Sequence, residues 1–179
     1  DHVETYTYQD VWERSGQIAA SLNASGLVAG GRVGILMDNS PGWVFALLGI
    51  LRVGGVCVPL SPLLPVASIR RLVEHSESKW VFADEANRET AVGACESLGV
   101  EGKAVEVIAV DRDAPSCIGW DEFLSRGKDR AWQSETSEDR TAVLMYTSGT
   151  TGDPKGVRIS ARGLGSDING LIELLELSP

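Results

Sequence analysis

Cysteine, histidine and positive charge are all in short supply in this 179-residue chain, and each shortage removes a class of function. Cys57, Cys95 and Cys117 are odd in number, widely spaced and free of any Cys-x-x-Cys pair, so they suggest neither a disulfide framework nor a zinc site. His2 and His75 supply no clustered metal ligands. Both are assigned structural or idle roles, His75 on the solvent side of its helix. Sixteen basic against twenty-five acidic residues leave a formal charge of −9, which opposes attraction to nucleic acid and to anionic lipid heads. Any phosphate must be held locally. The longest apolar run, Trp43 to Leu51, is far short of the roughly 20 residues that a bilayer span needs, and no basic-then-apolar leader opens the sequence. No transmembrane segment is expected, and the location is expected to be cytoplasmic. Aromatics are sparse too: Trp12, Trp43, Trp80, Trp120 and Trp132 fall in different elements and form no platform for stacking on bases.

What remains is enough for one domain with a proper core, since 43% of the residues are apolar and only 23% charged, which excludes disorder. The most informative stretch is Tyr146-Thr147-Ser148-Gly149-Thr150-Thr151-Gly152-Asp153-Pro154-Lys155-Gly156-Val157. The apolar run Ala142 to Tyr146 reads as a buried strand emptying into a loop of small residues and hydroxyls with one cation at its end. Gly149, Gly152 and Gly156 let the backbone approach a ligand and aim successive N–H groups into one concavity. Thr147, Ser148, Thr150 and Thr151 add hydroxyls able to donate to phosphate or to ligate Mg²⁺, and Lys155 adds a compact positive charge. Pro154 keeps Asp153 out of helical geometry. The Walker A pattern does not fit, because Lys155 follows Pro154 and precedes Gly156. This is a phosphate loop of another kind.

Strand and helix alternate along the chain. Thr7 and Asp10 form a capping box ahead of a helix with Val11, Ser15, Ile18, Ala19 and Leu22 at helical spacing, which ends near Gly26. Strands are predicted at Val33 to Met37, Val56 to Leu60, Lys79 to Ala83, Val105 to Val110 and Ala142 to Tyr146, with a short one at Val157 to Ile159. Helices lie between them: an almost wholly apolar one from Pro41 to about Val53, one with Ile69, Leu72 and Val73 inward, one with Ala91, Cys95 and Leu98 on a stripe, and a short one at Trp120 to Leu124. A last helix sets Leu171, Leu174 and Leu175 on one face. The segment from Arg126 to Arg140 lacks apolar periodicity and reads as a solvated connection without a partner site. The fold class is α/β: a mostly parallel sheet with helices on both faces and right-handed crossovers. Ligands gather outside the carboxyl ends of such strands, where the loop from Thr147 to Lys155 should emerge.

Residues 146–157 resemble the signature loop of the adenylate-forming superfamily, which includes acyl- and aryl-CoA synthetases, peptide-synthetase adenylation domains and luciferases. Thr7-Tyr8-Gln9-Asp10-Val11 and Leu51-Arg52-Val53-Gly54-Gly55-Val56-Cys57-Val58-Pro59-Leu60 resemble two earlier motifs of that family, in the same order. The resemblance implies a ligase that activates a carboxylic acid with ATP and Mg²⁺ as an acyl-adenylate, releases pyrophosphate and passes the acyl group to a thiol of CoA or a carrier protein. It implies that Thr147, Ser148, Gly149, Thr150, Thr151, Gly152, Lys155 and Gly156 bind the nucleotide, that Thr147 also faces the metal, and that no catalytic residue lies in this span. Arg158 and Arg162 are read as solvated surface charges. The family often has His where Ala161 stands and an acidic or amide residue where Ser61 stands, departures that leave the loop untouched. Family members are several hundred residues long, so residues 1–179 are expected to be the first subdomain of a larger enzyme and inactive alone. The alternative is a truncated binding or assembly module without catalysis.

Overall fold

A computed structural model of the protein describes residues 4–110, 115–134, 137–147 and 154–174. The chain opens with α1 (Tyr8–Ala24), followed by β1 (Arg32–Leu36), α2 (Pro41–Arg52), β2 (Val56–Pro59), α3 (Val66–Ser76), β3 (Trp80–Ala83) and α4 (Arg88–Cys95). A two-stranded ribbon of β4 (Gly99–Val100) and β5 (Lys103–Ala104) precedes β6 (Glu106–Ala109) and α5 (Trp120–Arg126). The chain closes with β7 (Thr141–Thr147), β8 (Lys155–Ser160) and α6 (Ala161–Leu174). The predicted caps form. Thr7 Oγ1 accepts from Asp10 N at 3.1 Å while Thr7 N donates to the Asp10 carboxylate at 2.7 Å, and Ser40 Oγ accepts from Trp43 N ahead of Pro41.

Six strands form the main sheet in the order β6-β3-β1-β2-β7-β8, and its first five are parallel. Alternation along the strands sends side chains to two cores. Val33, Ile35, Cys57, Trp80, Phe82, Ile108 and Val143 face α1, α2 and α5, whereas Leu36, Val58, Val81, Ala83 and Val107 face α3 and α4. The step from β1 to β2 runs one way along the sheet through α2, and the step from β2 to β3 runs the other way through α3. Direction and face reverse together, so the crossovers keep one hand. On the first face Phe123 is fully buried and meets Phe82 edge-on at 5.4 Å, and each such ring removed from water stabilises the fold by about 2 kcal/mol. Cys57 is core, as expected, and burial pushes its thiol up to about 12.

Four features depart from the sequence reading. The strand after the loop is not a short appendage: β8 runs the full length of β7 and pairs with it antiparallel, making a hairpin at the sheet edge. The β4–β5 ribbon is additional. The last helix forms, but Leu174 is 76% exposed and Leu175 lies outside the described residues, while Ala161 and Leu164 make the packing contacts.

The fourth is the polar segment after α5, which is anchored. Arg140 donates to the carbonyls of Leu51 (2.7 Å) and Gly55 (3.4 Å), capping the end of α2, and Trp132 packs against the first core. The Arg52 guanidinium carbon lies 3.7 Å from the Trp12 ring centroid and 5.1 Å from that of Trp132, and its Nη1 donates to Trp12 O and Ser15 Oγ. Burial lowers its pKa from the ordinary guanidinium value. A planar cation between two indoles is specific to arginine, so Arg52→Lys is expected to destabilise the protein by about 1 kcal/mol, read from the midpoint of urea unfolding. An unchanged midpoint would show that the aliphatic stem alone holds this corner.

Candidate functional site

β7 carries the chain outward with Ala142 and Val143 buried and ends at Thr147, which is exposed at the carboxyl end of the strand. The chain returns through Pro154, half-buried, into β8. Because β7 and β8 pair in register, Thr147 stands opposite Lys155, Tyr146 opposite Gly156 and Met145 opposite Val157. Thr147 and Lys155, two of the residues expected to bind the nucleotide, are thus cross-strand neighbours at the mouth of the hairpin, both exposed. Ser148, Gly149, Thr150, Thr151 and Gly152, the remaining predicted loop residues, lie outside the described residues. Gly156 has a steric reason as well: a Cβ there would lie 2.8 Å from Leu144 Cδ1.

The parallel strands all end on the side of the sheet where the hairpin opens. The point where the strand order reverses, between β1 and β3, is tied by Asp38 N donating to Asp84 Oδ2 at 2.7 Å. A hydroxyl beside an ammonium at a strand end can bind a polyanion, with the hydroxyl oxygen also suited to a hard cation. Among the described residues there is no group of three or more His, Cys, Asp or Glu that could hold a metal on its own.

Arg158 and Arg162 are exposed, as read, yet both are engaged. Arg158 donates Nε and Nη2 to Thr141 Oγ1, and Arg162 pairs with Glu138 and Asp139. His75 is also exposed but not idle, because its Nδ1 lies 2.8 Å from the hydroxyl of Tyr146, 71 residues away in sequence. Burial raises the Tyr146 phenol above its usual pKa. No local pattern could have announced this pair, since each residue sits in an element whose own periodicity explains it.

The architecture is thus an open, mostly parallel α/β sheet with an antiparallel hairpin at its edge, whose connecting sequence is rich in glycine and hydroxyls. The AMP-binding enzyme family matches residues 1–176, and the chain belongs to that family. It is 31% identical to bacitracin synthase 3 of Bacillus licheniformis over 177 residues, covering 98% of this chain and 2% of that one. It is 31% identical to long chain acyl-CoA synthetase 4 of Arabidopsis thaliana over 180 residues, covering 95% of this chain and 27% of that one. In fold it matches the crystal structure of a long-chain-fatty-acid-CoA ligase from Archaeoglobus fulgidus with a TM-score of 0.81 at 23% identity, over 99% of this chain and 34% of that chain. The chain therefore spans about a quarter of the plant synthetase that it matches. No helix among the described residues is long and apolar enough to cross a membrane.

Proposed function

We propose that residues 1–179 form the first subdomain of a larger adenylate-forming domain, and that residues 146–157 are its phosphate-binding loop. The full-length protein, in this reading, activates a carboxylic acid with ATP, releases pyrophosphate and transfers the acyl group to a thiol of CoA or a carrier protein. The observation that carries the proposal is the pairing of Thr147 with Lys155 at the exposed mouth of the β7–β8 hairpin, in a chain that belongs to the AMP-binding enzyme family.

The substrate carboxylate attacks the α-phosphorus of ATP, the bond from that phosphorus to the bridging oxygen breaks, and pyrophosphate leaves with the electron pair. Negative charge grows on the leaving group during this step. In this reading Lys155 supplies a fixed positive charge to meet it, and Thr147, with Ser148, Thr150 and Thr151, supplies hydroxyl donors. Gly149 and Gly152 bring no Cβ that would keep a ligand from the main chain. Donors that are in place before the reaction stabilise such a charge without reorganising. The Thr147 hydroxyl, exposed at the end of β7, is an oxygen donor of the kind Mg²⁺ takes and would be its protein ligand; the ion, when bound, would neutralise part of the phosphate charge. The acidic net charge, −9, leaves no broad electrostatic attraction to nucleic acid, so recognition of ATP rests on this local site. We place the protein in the cytoplasm, where ATP and CoA are found.

Full-length protein incubated with a panel of aliphatic, aryl and amino acids should exchange labelled pyrophosphate into ATP with at least one of them, and hydroxylamine should trap the corresponding hydroxamate. Absence of exchange with every acid, from protein shown to be folded, would reject the assignment. The 179-residue span alone is expected to support none.

A further inference from the structure

The face of β7 turned away from Thr147 packs against the core beneath α3 and α4. Side chains alternate along a strand, so Tyr146 points away from the side that carries Thr147. It packs with Leu144 against the core beneath α3 and α4. There its hydroxyl lies 2.8 Å from Nδ1 of His75, in the last turn of α3, and the two rings meet edge-on with centroids 5.6 Å apart at 82°. The ring also lies beside Gly156, its partner in the register: a Cβ on Gly156 would come within 3.5 Å of Tyr146 Cε1. Leu144 Cδ1 lies nearer still, 2.8 Å from that Cβ, so Gly156 is covered by Leu144 and bordered by the Tyr146 ring, which also meets the imidazole.

This arrangement matters because β8 is an edge strand with glycine near its start. Glycine weakens a strand and gives the register little to hold, whereas an aromatic ring laid over it covers the exposed backbone. A slip of one residue would exchange the faces of every side chain in the slipped strand. Thr147 and Lys155 would then no longer share a face.

We propose that His75 is a positioning residue for the phosphate hairpin: it holds Tyr146 against Gly156, beside Leu144, and so fixes the β7–β8 register that sets Thr147 opposite Lys155. The inference rests on the proposed adenylate-forming reaction, and it extends that reaction's machinery to a helix that touches no substrate in this reading. His75 suits the task because either ring nitrogen can donate or accept, and because its exposure leaves it no part in the core.

The test compares His75→Ala, His75→Asn, Tyr146→Phe and the His75→Ala/Tyr146→Phe double variant of the full-length protein in ATP–pyrophosphate exchange, with Lys155→Ala run alongside. His75→Ala is expected to lower kcat/KM for ATP about fivefold, the worth of one hydrogen bond. The KM for the carboxylate and the thermal midpoint should stay near those of the parent. His75→Asn, whose side-chain amide reaches about where Nδ1 lies, should recover most of the loss. Tyr146→Phe should match His75→Ala, and the double variant should fall no further than either, as two halves of one contact do. A loss shared equally between ATP and carboxylate, a loss that only follows a lowered midpoint, or additive single effects would overturn the proposal. So would full activity in His75→Ala beside a crippled Lys155→Ala, which leaves the phosphate-site reading standing. Full activity in Lys155→Ala would instead overturn that reading and this inference with it.

Discussion

Replacing Lys155 by alanine in the full-length protein is expected to lower carboxylate-dependent ATP–pyrophosphate exchange about a hundredfold or more, the usual consequence of losing one preorganised donor to a developing anion. The size follows from where the charge sits. Lys155 begins β8 opposite Thr147, exposed and at the open end of the hairpin, so its ammonium has no part in the core and is free to serve the phosphate site proposed above. Exposed substitutions of this kind usually move stability by no more than about 0.5 kcal/mol, so the unfolding midpoint should hold while exchange collapses. Lys155→Arg should recover part of the rate only, because a planar fork does not occupy the position of a compact ammonium. The KM for the carboxylate should be nearly unaffected, since in the proposed reaction the lysine meets the leaving group. Exchange at the parent's rate in Lys155→Ala would remove this residue from the reaction, and with it the reading of the hairpin as a phosphate site.

The residues that announced the site did so through local chemistry, and the arrangement that makes them a pair was not local. Thr147 and Lys155 stand out in sequence because hydroxyls, glycines and one lysine follow an apolar strand. That they face one another depends on β8 turning back along β7, and Lys155-Gly156-Val157-Arg158 carries too few apolar residues to advertise a full edge strand. Strands buried on both sides, such as Val56 to Pro59 and Trp80 to Ala83, were plain from their continuous apolar runs. The capping box at Thr7 and Asp10 was equally plain, because its partners lie three residues apart. The segment between α5 and β7 misled for the opposite reason. Its composition is polar, yet Arg140 caps carbonyls 85 and 89 residues earlier and Trp132 completes the enclosure of Arg52. A long cationic side chain that serves distant backbone carbonyls looks, in sequence, like one that serves water. His75 belongs with these cases, since its partner became visible only once α3 lay against β7.

Gly127→Ala is expected to destabilise the protein by about 3 kcal/mol, near the upper end for an added methyl group in a packed interior. Gly127 follows α5 with φ −92° and ψ −5°, a conformation that alanine adopts readily, so backbone strain is not the cause. The cause is closeness. A Cβ would stand 2.4 Å from Ser21 N and 2.6 Å from Ala20 C, both main-chain atoms of α1, and 2.7 Å from Ser21 Oγ. Main chain inside a helix cannot give way as the end of a side chain can, so the whole of α5 must retreat. That retreat would lengthen the bond from Ser21 Oγ to Leu124 O, now 3.2 Å, and loosen the seat of Phe123, which is fully buried. A second substitution separates this account from a simple clash of side chains. Adding Ser21→Ala to Gly127→Ala removes the hydroxyl oxygen but neither main-chain atom, so it should restore little of the lost stability. Recovery to the parent's midpoint would mean that the serine side chain, and not the approach of one backbone to another, is what glycine accommodates at this position. The functional corollary follows from distance in the fold: α5 packs on α1 across the sheet from α3, so Gly127→Ala should lower the midpoint of unfolding while the molecules that stay folded keep their kcat/KM for ATP.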